Sequence, residues 1–196
     1  MKIYDISQEV LSCAVFPGDP SPKRELVMKI DDGKVCNLST LQMCAHNGTH
    51  VDAPFHFINQ GRTIDQIEPE CFVGMAYVTE QEGLVSAEDA KNILARAKKA
   101  DPEATKRILI KGKAVVSLEA AKVFASNVIL IGNESQTVGP EDAPMAVHLT
   151  LLGENVVLLE GIRLGGVPEG VYLLNAAPLN LAGADGAPCR AILIDL

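Results

Sequence analysis

At 196 residues, with 47% hydrophobic and 21% charged positions, the chain is long enough to bury a core of its own in one compact domain. Its net charge of −8 argues against nucleic acid as a partner, because phosphate binding needs clustered Lys and Arg. No stretch approaches the ~20 apolar residues that cross a bilayer, and the first ten residues lack the apolar run of a signal peptide. A cytoplasmic protein with no membrane partner is therefore expected.

Residues 3–7 read as a first strand. Phe16-Pro-Gly-Asp-Pro20 is too rich in Pro and Gly for regular structure and reads as a loop. Residues 25–30 and 38–44 read as strands, with an Asp31-Asp-Gly33 turn after the first that suggests a hairpin. The second strand delivers the chain into a run of histidines. Beyond that run, residues 74–79 form a strand, and Ser86-Ala-Glu-Asp89 starts a helix by capping free amides and placing acids at the positive end of its dipole. That helix runs to about Ala100, before Pro102. Residues 107–111 are a strand, 118–125 a short helix and 128–131 a buried strand. A helix over 142–152 ends at Gly153, followed by strands at 156–160, 171–174 and 191–194. Early hairpin-like strands followed by alternating helix and strand predict a single α/β domain with a mixed β-sheet rather than a doubly wound parallel one. No internal repeat, low-complexity segment or linker interrupts it.

The basic residues are scattered apart from the neighbourhood of Arg96 to Arg107, which reads as a solvated helix face. The five cysteines, Cys13, Cys36, Cys44, Cys71 and Cys189, are odd in number and form no CxxC pair, so reduced, mostly buried thiols are expected. Cys44 lies two residues before a histidine. A ligand role is open to it, although an alternating strand would point it into the core.

His46-Asn-Gly-Thr-His50-Val-Asp52-Ala-Pro-Phe-His56 places three of the four histidines and an aspartate within eleven residues. Imidazole nitrogens and carboxylate oxygens are the groups that bind zinc and similar divalent ions. Gly48 makes a turn more suitable than a helix here, and a turn can still converge His46 and His50 while Asp52 adds an oxygen. Two nitrogens and one oxygen leave positions open for water, the pattern of a catalytic site. Gly48 lets the backbone pass close to an ion, Thr49 can orient a ligand, and Pro54 stiffens the exit. Isolated histidines are usually satisfied by hydrogen bonds, but three with an aspartate at this spacing outweigh that reading. His148 and Glu160 are weaker alone. An amphipathic helix often carries one satisfied histidine, while a carboxylate ending a buried strand needs a partner, which a second metal bridged by Asp52 would supply.

The His46-x-Gly-Thr-His50-x-Asp52-x-Pro54-x-His56 pattern resembles the signature of the cyclase family of metal-dependent hydrolases, which includes kynurenine formamidases and isatin hydrolases. The resemblance extends to Asp5-Ile-Ser7, Phe16-Pro-Gly-Asp-Pro20, His148 with Glu160-Gly-Ile, Pro178-Leu-Asn-Leu181, Gly183, Asp185-Gly-Ala-Pro188 and Arg190-Ala191. It implies that His46, His50 and Asp52 bind a first metal and that Asp52, His148 and Glu160 bind a second. One or two ions per chain, Zn²⁺ or Mn²⁺, are implied. His56 is implied as proton shuttle and Phe16 as an aromatic against the substrate ring. The implied fold is the swivelling β/β/α type, assembled as homodimers or homotetramers. Two segments depart from the family: Lys111-Gly-Lys113 leads almost directly to the next helix, and Asn133-Glu-Ser-Gln-Thr-Val-Gly139 replaces a more usual Asp-Thr-Pro-Ser run. The expectation is hydrolysis of a small amide, formamide or lactam by metal-activated water. The alternatives are a non-catalytic metal- or ligand-binding module on the same fold, or a cysteine hydrolase using Cys44.

Overall fold

The computed structural model describes residues 1–196. In chain order the elements are β1 (Lys2–Asp5), β2 (Lys23–Met28), β3 (Leu38–Gln42), β4 (His50–Asp52), β5 (Val73–Glu80) and β6 (Gly83–Val85). Then follow α1 (Ala87–Ala100), β7 (Arg107–Lys111), β8 (Ala114–Val116), α2 (Leu118–Ala125), β9 (Leu130–Asn133) and α3 (Met145–Gly153). The chain ends with β10 (Val157–Glu160), β11 (Gly170–Asn175), β12 (Gly186–Pro188) and β13 (Ile192–Asp195).

Nine strands make one mixed sheet in the order β1-β13-β11-β5-β7-β9-β10-β4-β12. The central strands β5, β7, β9 and β10 pair in parallel, with α1, α2 and α3 on their crossovers. Antiparallel strands extend both sides, so the mixed α/β architecture is the expected one. Strand side chains alternate between faces, and this splits the interior in two. Ile108, Ile110, Ile131 and Leu158 pack under the helices with Ile93, Phe124 and Leu151. Leu109, Leu130, Val157 and Leu159 face the other way, where they meet Leu193 of β13, Val51 of β4 and Ala187 of β12. Residues from opposite ends of the strand order share that second core, so the sheet curls around it.

The β2–β3 hairpin stands apart from this sheet, with its turn closed by Gly33 at φ 76°. α1 starts as its sequence dictates: Ser86 Oγ accepts from the Asp89 amide at 3.2 Å while the Asp89 carboxylate accepts from the Ser86 amide at 2.9 Å. The helix buries Ala90, Ile93 and Ala97 on one stripe.

Several expectations shift. The strand anticipated at 128–131 is Leu130–Asn133, and the helix anticipated from 142 begins at Met145, with Pro144 at its N-cap. Lys111-Gly-Lys113 does not run straight into α2, because β8 intervenes and pairs with β6. The strands β4, β6, β8 and β12 have three residues each, too few for a period of two to show in sequence. Arg107 is not part of a solvated face. It is 6% exposed and donates to the backbone carbonyls of Glu70, Cys71 and Met75, as a buried guanidinium must. Nor are the thiols mostly buried: all five are free, Cys36 is exposed and the other four are partly exposed.

At the end of β10 the chain turns at Gly161, with φ +69°, directly beneath the histidine loop. A Cβ there would lie 2.3 Å from the Gly48 carbonyl oxygen and 2.4 Å from Gln136 Oε1. Left-handed strain and overpacking together should cost roughly 2–5 kcal/mol. Urea unfolding of Gly161→Ala is expected to show that loss, and an unchanged midpoint would refute the close approach.

Candidate active site

β4 and β10 run antiparallel, with His50 opposite Glu160, Val51 opposite Leu159 and Asp52 opposite Leu158. Val51 and Leu159 fill the core on the curled side. Alternation therefore turns His50, Asp52 and Glu160 to the helix side together. α3 packs over them, anchored by Val147, Leu151 and Leu152, and brings in His148.

These four side chains converge. His50 Nε2 lies 3.4 Å from Asp52 Oδ1 and 3.4 Å from Glu160 Oε2. His148 Nε2 lies 3.3 Å from Glu160 Oε1 and 3.7 Å from Asp52 Oδ2. None is more than 2% exposed. Three of them are held from behind by backbone: His50 Nδ1–H donates to the Gly48 carbonyl at 3.0 Å, and His148 Nδ1–H donates to the Pro144 carbonyl at 2.9 Å. The Val138 amide donates to Glu160 Oε1 at 2.7 Å. A backbone carbonyl on Nδ1 accepts that nitrogen's proton in a hydrogen bond and leaves Nε2 as the nitrogen aimed inward at the carboxylates, where a metal would replace any proton it carries. Asp52 Oδ2 is buried and has no hydrogen-bond partner. An enclosed carboxylate oxygen without a donor is costly, and a cation between these atoms would satisfy it. The donor set of imidazole nitrogen and carboxylate oxygen suits zinc, manganese and related divalent ions.

The loop before β4 is built to hold this arrangement. Gly48 has φ +66°, and its carbonyl accepts from His50 and from Gln136 Nε2 at 2.9 Å. The Thr49 hydroxyl accepts from the Gln8 amide at 2.9 Å and donates to the Gly161 carbonyl at 2.8 Å. Thr49 thus ties backbone to backbone, and it orients no ligand side chain directly.

His46 stands on the far side of Asp52. Its Nδ1 is 2.8 Å from Asp52 Oδ1 and its Nε2 is 2.8 Å from Asp185 Oδ2. His56 stacks on it, with ring centroids 4.0 Å apart, and places its own Nδ1 3.4 Å from the same Asp185 oxygen. Burial opposes protonation of His46 and His50. Hydrogen bonds to Asp185 and Asp52 for the former, and to Asp52 and Glu160 for the latter, outweigh it and push both up to about 10. Burial likewise disfavours charge on Asp52, yet His46 and His50 hold it well below the usual carboxylate range. Burial opposes charge on His148 too, and Glu160 raises it. Hydrogen bonds to His46 and His56 keep Asp185 ionised far below its ordinary value.

A cavity of about 370 Å³ opens onto the cluster, lined by His46, His50, His56, His148 and Glu160 with Phe16 and Phe57. Asp52 lies behind these. The seven residues singled out in sequence are thereby brought to one place. Asp185 is the functional candidate that sequence reasoning left without a role. It lies 139 positions from the histidine it contacts, and the Asp-Gly-Ala-Pro run around it carries no chemical signature of its own. Cys44 faces the cavity rather than the core, with its Sγ 3.7 Å from Asp19 Oδ2. Its neighbour is a carboxylate, where a cysteine hydrolase needs an imidazole base. No Lys or Arg lines the cavity.

The family model described as "Putative cyclase" matches residues 4–138. The kynurenine formamidase of Salinibacter ruber (strain DSM 13855 / M31) is 33% identical over 212 residues, covering 100% of this chain and 98% of its own. A solved structure described as a potential metal-dependent hydrolase with cyclase activity superposes with TM-score 0.80 at 27% identity, covering 98% of this chain and 96% of the other. Isatin hydrolase A from Labrenzia aggregata shares the fold, with TM-score 0.81 at 20% identity over 98% of this chain and 93% of its own. With its histidine cluster, curled mixed sheet and full-length relatives in agreement, the chain belongs to the cyclase family.

Proposed function

We propose that the chain is a metal-dependent hydrolase of small amides, formamides or lactams, kynurenine formamidase-like in its chemistry. The observation that carries this reading is the buried, unpartnered Asp52 Oδ2, set among two inward-facing Nε2 atoms and the Glu160 carboxylate. Full-length similarity to a kynurenine formamidase supports the reaction class.

In this reading His46, His50 and Asp52 hold one divalent ion, and Asp52, His148 and Glu160 hold a second when two are bound, with Zn²⁺ or Mn²⁺ as occupants. A divalent ion at this place supplies an acidified water and a polarised carbonyl when bound. The rest falls to the chain. His56 is the most exposed imidazole of the cluster, its side chain 29% accessible, and so donates the proton to the leaving nitrogen. Phe16 on the cavity wall stacks against the ring of an aromatic substrate. Phe57, packed against the His56 and His148 rings, keeps the inner wall dry. With no Lys or Arg in the lining, this chain favours a neutral scissile group over an anionic one. The hairpin of β2 and β3 exposes Val27, Ile30, Val35, Leu38 and Leu41, which supports assembly as a homodimer or homotetramer. The place of work is proposed to be the cytoplasm.

Hydrolysis of N-formylkynurenine by protein loaded with Zn²⁺ or Mn²⁺ tests the reading. Turnover that a chelator abolishes and added metal restores is expected, and no turnover of formamides, lactams or amides by a fully loaded protein would defeat it. His56→Ala should keep its bound metal and lose roughly 10²–10⁴-fold in kcat, the usual worth of a placed proton donor; unchanged turnover would remove His56 from the reaction. The carboxylates raise His46 and His50 above the ordinary imidazole range, to about 10, so metal binding at their nitrogens at pH 7 is expected to release protons and to strengthen as pH rises through neutrality. Calorimetric Zn²⁺ titration in buffers of different ionisation enthalpy measures that release, and a heat independent of buffer would contradict the assignment.

A further inference from the structure

We propose that Asp185 is the positioning residue for proton transfer: its carboxylate grips His56 at Nδ1 and thereby presents Nε2 to the leaving group. This rests on the role given above to His56.

Asp185 Oδ2 is 3.4 Å from His56 Nδ1, and no other carboxylate lies within ion-pair distance of the His56 ring. A carboxylate oxygen can only accept, so a hydrogen bond across this contact has Nδ1–H as its donor and leaves Nε2 free for the substrate. The neighbouring histidines are held by backbone carbonyls, whereas His56 has no hydrogen bond to the backbone through its ring. Without Asp185 the ring would keep its stacking on His46 and its edge contacts with Phe57 and His148, none of which selects a tautomer.

The carboxylate is itself well placed. The Asp185 carbonyl accepts from the Ala53 amide at 2.9 Å, and the next residue, Gly186, pairs with Asp52 in the sheet. Gly186 is required there, since a Cβ would lie 2.6 Å from the Val51 carbonyl oxygen and 2.8 Å from His46 Cε1. Asp185 is thus pressed against both stacked rings, and one oxygen serves His46 at 2.8 Å and His56 at 3.4 Å. Its side chain remains 42% exposed at the cavity mouth, outside the buried cluster.

The test uses Zn²⁺-loaded Asp185→Asn, Asp185→Ala, His56→Ala and the double variant Asp185→Ala/His56→Ala. Each is assayed on formanilide, whose leaving nitrogen needs a proton, and on 4-nitrophenyl formate, whose leaving oxygen does not. For the Asp185 variants kcat on formanilide should fall roughly 10–100-fold, the usual penalty for losing a carboxylate behind a functional imidazole, with KM nearly unchanged. The deficit should shrink on the ester. Adding Asp185→Ala to His56→Ala should cost little more, because both changes remove the same function. Because Asp185 also holds the proposed ligand His46, every variant is assayed at saturating Zn²⁺, and ¹⁵N shifts of the His56 ring should move from the Nδ1–H tautomer towards Nε2–H. Equal losses on both substrates, full additivity or an unchanged His56 tautomer would each overturn the proposal. Fully active Asp185 variants beside an impaired His56→Ala would overturn it while sparing the role of His56. A fully active His56→Ala would overturn both.

Discussion

Two carboxylates, Asp52 and Glu160, are buried within a few ångströms of the same imidazoles in an otherwise apolar interior. Removing such groups from water costs several kcal/mol each, and Coulomb attraction repays it only where the geometry is good and the lone pairs are filled. Much of the architecture around the cluster is the means of filling them. The Val138 amide and His46 Nδ1 hydrogen-bond to the two carboxylates, and both Nε2 atoms lie within 3.4 Å of Glu160, so three separate stretches of chain meet there. Removing one donor would leave a buried charge uncompensated, so these stretches are constrained jointly.

That constraint explains features which look unrelated along the sequence. β4 is only three residues long, yet three is the least that puts two side chains on one face with an apolar residue between them. It pairs with β10 on one side and β12 on the other, so the strand carrying His50 and Asp52 cannot slip without burying them in the opposite core. β10 ends at Glu160, and the segment after β9 provides Val138, so the cluster lies at the carboxyl ends of two adjacent parallel strands. Open α/β sheets bind their ligands at such ends. The glutamine pair Gln8 and Gln136, bonded to each other at 2.8 Å, fastens the histidine loop to the strand ends beneath it.

Much of this was legible in the sequence, for identifiable reasons. The histidine run stood out because its ligands are close in sequence, and α1 because capping and amphipathicity are local signals. The helical and parallel-strand half of the chain was read within about two residues at most boundaries. Asp185 escaped because its partners lie more than a hundred residues away and only pairing of β12 with β4 brings it near them. The burial of Arg107 escaped for the same reason: its carbonyl partners come from the turn before β5, and local composition placed it in a basic run. Cys44 was assigned to the core by strand alternation, but β3 ends at Gln42 and alternation no longer applies beyond it.

The four histidines are one residue type put to different uses by whatever touches the second ring nitrogen. His50 and His148 each give Nδ1–H to a backbone carbonyl, a rigid neutral acceptor, so Nε2 is the nitrogen fixed in the depth of the site. His56 sets Nδ1 3.4 Å from the half-exposed Asp185 carboxylate. His46 lies between these classes, with Asp52 on one nitrogen and Asp185 on the other, and stacks against His56. It is therefore the physical link between the buried cluster and the exposed pair. One ring thus touches both Asp52 and Asp185, and the outer histidine stacks on the inner one while sharing its Asp185 oxygen.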